Sequence, residues 1–164
     1  MTLVAAVKFL HVLIAVWFVG GLIGRAVILR VASREPNVGR LGPLLDASGI
    51  FERFMVIPGS MAVLATGMLT AWLAGYPVLG FLQGRGSNWV PASIVVWLTL
   101  VPWVPLVFVP RGRAFGAALE EARRVGSVTP TLTTAFNDPV VRVGHVYEFA
   151  AVVLLFYLMV VKPF

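Results

Sequence analysis

The sequence predicts an all-α, polytopic membrane protein: a four-transmembrane-helix bundle built by residues 1–164 as a single domain. Three observations carry this prediction. Hydrophobic residues make up 59% of the chain and charged residues only 12%, against about 25% charged in an ordinary soluble domain. Four stretches lack Asp, Glu, Lys and Arg: 9–24, 54–84, 86–110, and 143–161 apart from Glu148. Roughly 20 apolar residues suffice for a helix to cross the hydrocarbon. The runs are also continuous, whereas a membrane β-barrel would alternate apolar and polar positions.

The first span is expected over about 3–24, with Lys8 extending its ammonium outward to the interface. It lacks a basic leader region, and arginines rather than a small-residue cleavage pattern follow it, so it reads as a retained helix and not a signal peptide. Gly20, Gly21 and Gly24 form a small-residue patch with the Gly-x-x-x-Gly spacing of a helix-packing face. Residues 25–53 form the first connection, punctuated by Gly39, Gly42-Pro43 and Gly49. The second span, about 54–76, follows Phe51-Glu52-Arg53-Phe54 and contains Pro58 one turn inside. Gly84-Arg85-Gly86-Ser87 marks a short turn before the third span, about 90–110. Pro91 suits the first turn of that helix, while Pro102 and Pro105 remove backbone hydrogen bonds and should kink it.

Residues 111–139 form the last connection, and its first part, 111–125, reads as an extension of the third helix with Glu120 and Arg124 at i,i+4 spacing. Thr129-Pro130 then has the chemistry of an N-cap followed by proline at the first helical position, opening a short helix that ends near Asn137-Asp138-Pro139. The fourth span covers about 140–161.

Arginine sets the orientation. Ten of the eleven arginines lie in or beside the first and last connections, and only Arg85 lies in the middle one. The positive-inside rule therefore predicts those two connections in the cytoplasm of a bacterial inner membrane and both termini outside. Trp72, Tyr76 and Trp89 then form an outer aromatic belt. The pI near 10.8 reflects this topology and attraction to anionic lipid rather than nucleic-acid binding. The expected partners are the lipid bilayer and other membrane subunits or further copies of the chain. The absence of cysteine excludes disulfides, iron–sulfur clusters and thiolate-ligated haem.

The chain's two histidines, His11 and His145, both fall in apolar runs, where an ionisable side chain is a functional-site hypothesis by default. His11, Ala15, Phe18, Leu22 and Arg25 share one stripe of the first helix. An imidazole there can ligate a haem iron or hydrogen-bond to a neighbouring helix. On the fourth helix, Val141, His145, Phe149, Val152, Phe156 and Met159 share a stripe, with Arg142 and Glu148 at its margins. Arg142, His145 and Glu148 are expected as a polar cluster at the inner face, with Glu148 paired to Arg25, Arg53 or His145 or serving as a proton relay. A di-metal centre is excluded because such bundles need carboxylates from several helices.

One haem clamped by both histidines is disfavoured by their depth. At 1.5 Å per residue His11 lies about 12 Å below the outer boundary and His145 about 8 Å above the inner one. In a core of roughly 30 Å they are offset by about 10 Å. Met159, about 28 Å from the inner boundary, overshoots the level of His11.

The stretch Lys8-Phe9-Leu10-His11-Val12-Leu13, with Trp17 and Gly20-Gly21, resembles the first helix of a bacterial group of small four-helix membrane proteins. Arg53, Pro58, Met61 and Gly67 are similar to the second helix of that group. The group includes predicted integral membrane proteins of unknown function, the HemJ-type protoporphyrinogen oxidases and the CopD copper-resistance proteins. The stretch from Trp89 to Pro110 and the Val-Thr-Pro and Asn-Asp-Pro punctuation look most like the uncharacterised members. Val160-Val161-Lys162-Pro163-Phe164 resembles the HemJ-type ending.

HemJ-type enzymes are associated with haem b and with oxidation of protoporphyrinogen IX. The resemblance implies haem b as a cofactor, His11 as its iron ligand, and Arg25, near the place of their following arginine, as a second cofactor contact. Those enzymes carry a lysine in helix three, where this chain has none. No residue pattern assigns an enzymatic activity.

Three functions are thus in view. The first is electron transfer or porphyrin oxidation on haem b. The second is a non-catalytic accessory subunit of a respiratory or photosynthetic complex. The third, CopD-like metal or solute passage, is weakened by two histidines, no cysteine, and five methionines without a Met-x-x-Met ladder.

Overall fold

In the computed structural model, which describes residues 2–84 and 87–163, every regular element among the described residues is helical. Met1, Phe164, and Arg85-Gly86 of the expected glycine-rich turn lie outside the described residues. Four helical stretches are long and apolar enough to cross a membrane: Leu3–Ala32, Val38–Leu73, Trp89–Val125 and Pro130–Val161. The chain divides into two compact units, Met1–Gly75 and Tyr76–Phe164.

The first unit is a helical hairpin. Helix α1 spans Leu3–Ala32, opened by Thr2, whose hydroxyl accepts the amide of Ala5. Its 30 residues rise about 45 Å, well beyond a hydrocarbon core of roughly 30 Å. Hydropathy marks where the apolar run stops at Gly24, but nothing in 25–32 breaks a helix, and α1 continues through the arginines. The chain reverses at Ser33–Asn37. Glu35 Oε1 accepts the Asn37 amide at 3.0 Å, and Asn37 caps helix α2, Val38–Phe51, by accepting the Gly39 amide at 2.8 Å. The glycines and Pro43 that punctuate this segment in sequence are absorbed inside α2. Much of the connection expected over 25–53 is therefore helix.

A π-helical turn, Glu52–Val56, joins α2 to helix α3, Ile57–Leu73. Its closing bond runs from the Ile57 amide to the Glu52 carbonyl, and the next residue is Pro58. Proline has no N–H to continue the α-helical ladder, and the wider turn lets the chain pass it without a break. Helix α1 closes through glycines on α2, the π turn and α3 in succession. A Cβ on Gly21 would lie 2.5 Å from Met55 Cβ, one on Gly24 2.5 Å from the Phe51 ring, and one on Gly59 3.0 Å from Phe18 Cβ.

The second unit is also a hairpin. Helix α4, Trp89–Leu100, ends where Pro102 interrupts it. A second π turn, Val104–Phe108, closes with the Val109 amide on the Val104 carbonyl, again one residue before a proline, Pro110. Helix α5, Val109–Val125, carries the chain on to Gly126, whose positive φ of 75° ends it. Thr129 caps the short helix α6, Pro130–Phe136, as its sequence predicts, by accepting the Leu132 amide. Asp138 caps helix α7, Pro139–Val161, by accepting the amides of Val140 and Val141.

Burial on α7 only partly follows the stripe marked in its sequence, of which Val152 is buried. Gly144, Ala151, Val152 and Leu158 are buried, while Phe156 is 42% exposed. In lipid, helices approach one another through small residues, and large apolar side chains are equally at home against acyl chains.

Candidate functional site

His11 is buried, 9% exposed, on the face of α1 that also buries Ala15, Leu22 and Arg25. Its Nδ1 lies 3.0 Å from the Thr66 hydroxyl oxygen on α3. The Thr66 hydroxyl donates its own proton to the Ala62 carbonyl at 2.6 Å. With that proton on the Ala62 carbonyl, the tautomer that satisfies the contact has Nδ1–H donating to Thr66 and leaves Nε2 its lone pair. Gly67 makes this approach possible: a Cβ there would lie 3.0 Å from His11 Cε1 and 3.6 Å from each ring nitrogen. In the sequence Gly67 stands out only through its likeness to a second-helix pattern, and Thr66 not at all. A hydroxyl beside a glycine inside an apolar run is the signal that could have found them, since both are helix-contact residues in lipid.

Arg25 belongs to a different place in the same hairpin. Its Nη1 donates to Glu52 Oε2 at 2.5 Å, with side-chain exposures of 8% and 37%. It lies almost four helical turns from His11, about 21 Å along α1, so one cofactor ring at His11 does not bring the two together. The π turn supplies the carboxylate, because Glu52 is its first residue. Sequence reading placed Glu52 in a connection rather than on a helix facing α1.

In the second unit, His145 Nδ1 lies 3.4 Å from Glu148 Oε2, one turn away on α7. This agrees with one of the pairings expected for Glu148. The imidazole stacks on Phe108 of the π turn, with ring centroids 5.0 Å apart and an 18° interplanar angle. Arg142 is exposed and donates from Nη2 to Asn137 Oδ1 at 3.3 Å. Six positions apart, Arg142 and Glu148 point about 120° apart around α7, so the expected three-residue cluster resolves into a His145–Glu148 pair and a separate Arg142–Asn137 contact.

The rest of the unit is tied by hydroxyls, rings and further ion pairs, among them Glu120 with Arg123 rather than the Arg124 that its i,i+4 spacing suggested. Tyr147 OH lies 2.5 Å from Thr99 Oγ1. The Thr99 hydroxyl donates to the Val96 carbonyl at 2.6 Å, so Tyr147 is the donor of the first bond. Trp103 packs on the Tyr147 ring at 5.5 Å. Arg111 pairs with Asp138. At the other end of α7, Lys162 Nζ donates to Tyr76 OH at 2.7 Å and sits 5.3 Å from the centroid of the Trp89 ring.

No group of three or more His, Cys, Asp and Glu side chains able to hold a metal ion occurs among the described residues. What the fold defines is an integral membrane protein of long helical hairpins, with a buried histidine held between two spanning helices. The chain belongs to the predicted integral membrane protein family DUF2269, whose model matches residues 5–163. No curated protein and no solved structure matches it, so of the families expected from the motifs only the predicted integral membrane proteins are supported, not the HemJ-type or CopD proteins.

Proposed function

We propose that this protein is a haem b-binding membrane protein in which the imidazole of His11 would hold the group, acting in electron transfer within a bacterial inner membrane. The observation that carries the reading is the Ala62–Thr66–His11 chain of hydrogen bonds, which is satisfied by the tautomer with Nδ1–H donating and Nε2 basic. A metal-ligating histidine characteristically donates its other ring N–H to a fixed acceptor, which sets the ring's orientation. The residues present fit an imidazole-ligated haem to that extent. When bound, the haem would supply a one-electron couple. Thr66 would orient the imidazole, Gly67 would let α3 come close enough for it to do so, and the surrounding apolar side chains would keep water out. Arg25, about 21 Å along α1 from His11 and paired with Glu52, is not used in this reading.

The test is the reduced-minus-oxidised visible spectrum of the protein purified in mild detergent. A b-type Soret and α-band, lost in His11→Ala and shifted in Thr66→Val, is the expected result. A colourless wild-type protein, folded by circular dichroism after expression with haem supplied, would overturn it.

A second reading is favoured by the close seat of the ring on Gly67. On that reading His11 is a polar lock between helices, and the chain is a non-catalytic subunit of a larger membrane complex. That reading predicts a colourless protein, destabilised by His11→Ala, that copurifies with its complex at fixed stoichiometry.

A further inference from the structure

The end of α1 carries a feature that neither reading uses. Arg30, Val31, Arg34 and Glu35 line an open cavity of about 270 Å³. Arg30 lies in the last turn of α1 and Arg34 just beyond its end, and both line this cavity at the hairpin tip. Neither guanidinium has an ion-pair partner among the described residues. Glu35, the one carboxylate of the cavity, turns Oε1 onto the Asn37 amide at 3.0 Å, where it holds the hairpin turn. Two positive charges therefore face one cavity against a single carboxylate already engaged with backbone.

The location restricts the ligand. The uncharged run of α1 ends at Gly24, and Arg30 follows about 9 Å farther along the helix. The headgroup layer is roughly 5–7 Å deep on each side of the hydrocarbon. A guanidinium on a flexible stem reaches back across that short distance. Arginine is suited to phosphate because its planar fork donates two parallel hydrogen bonds to the oxygens.

We propose that this cavity binds a phosphate-bearing anion through Arg30 and Arg34, supplied by the headgroup of an anionic phospholipid or by free phosphate in the adjoining water. A zwitterionic headgroup brings its own cation beside the phosphate and competes poorly for the site. The proposal does not depend on haem or on the role of His11.

Native mass spectrometry of the full chain in detergent tests it, with phosphatidylglycerol, phosphatidylcholine or inorganic phosphate added separately. The expected result is retention of phosphatidylglycerol over phosphatidylcholine, weakened about tenfold or more in the Arg30→Gln/Arg34→Gln double variant. The Arg123→Gln/Arg124→Gln variant, altered at the end of α5, should retain the lipid as the wild type does. Retention of inorganic phosphate that is lost in the Arg30/Arg34 variant would support the same site with the aqueous ion as its source. Equal losses in the two double variants would mean diffuse attraction and overturn the proposal, as would no loss in the first. Both substitutions fall on exposed side chains, and circular dichroism confirms that each variant is folded.

Discussion

The two hairpins solve the same problem with different materials. In lipid there is little hydrophobic gain from pressing one apolar helix against another, so helices are held by close backbone approach or by polar side chains. The first hairpin uses glycines at Gly21, Gly24, Gly59 and Gly67, and adds two polar pairs across it, His11–Thr66 and Arg25–Glu52. The second uses rings: Trp103 on Tyr147, Phe108 on His145, and Phe115 on Phe136. Glycine contacts fix the separation of two backbones, whereas rings can tilt. The first hairpin is accordingly the more sensitive to added volume.

The sharpest way to break that comparison is to add volume on both sides. Gly21→Leu should cost about 3 kcal/mol or more, because its Cβ meets Met55 Cβ rather than the end of a flexible chain. Gly144→Ala should cost only about 1 kcal/mol, since its Cβ meets ring atoms of Phe108 and Trp103 at 3.0 and 3.1 Å. Unfolding of both variants in mixed detergent–SDS micelles gives the two values, and equal losses would remove the distinction.

The polar pairs come next. Glu52→Ala should destabilise the first hairpin by about 2–3 kcal/mol, less than a fully buried pair because Glu52 is 37% exposed. Its thermal midpoint should fall, and charge reversal at Glu52 should lower it further. Thr66→Val and Tyr147→Phe each delete one hydroxyl bond, in the first and second hairpins respectively. Interhelical hydrogen bonds in membranes are worth about 0.6 kcal/mol on average and up to about 1.7. Both variants should fall within that range in the same unfolding assay. A larger loss for Thr66→Val would show that His11 depends on its partner more than an ordinary helix contact does. The smallest effect is expected from Lys162→Gln, about 0.5 kcal/mol for an exposed cation over aromatic rings. Its readout is a change in tryptophan emission, with little movement of the melting curve.

How much the sequence reveals also differs between the hairpins. On α1 the stripe containing His11, Ala15, Leu22 and Arg25 is read directly from helical spacing, and all four are buried. There the small and polar residues that pack coincide with the stripe that periodicity selects. On α7 the stripe is a weaker guide to burial: Val152 is buried but Phe156 is exposed, because lipid accepts a large apolar side chain, and Gly144 packs against Phe108 and Trp103. Local chemistry was well legible at Thr129-Pro130, where cap and first-turn proline open α6. The long helical extensions were less so: a charge ends an apolar run, but it does not end a helix. Thr66, Gly67 and Glu52 became visible only as partners, since each has meaning through a residue far away in sequence.

The two π turns have a consequence for every face assignment in this chain. Each accommodates one residue more than an α-helical turn, and one residue is about 100° of rotation. A single helical wheel drawn through Val38–Leu73 therefore assigns the two ends to incompatible sides. The half of that rod before the turn, with Arg40 and Asp46, and its membrane half behave as two dials set on one shaft. Deleting a single residue from Glu52–Val56 would turn one dial against the other, carrying the positions before the turn around the rod while leaving the seat of His11 on α3 where it is.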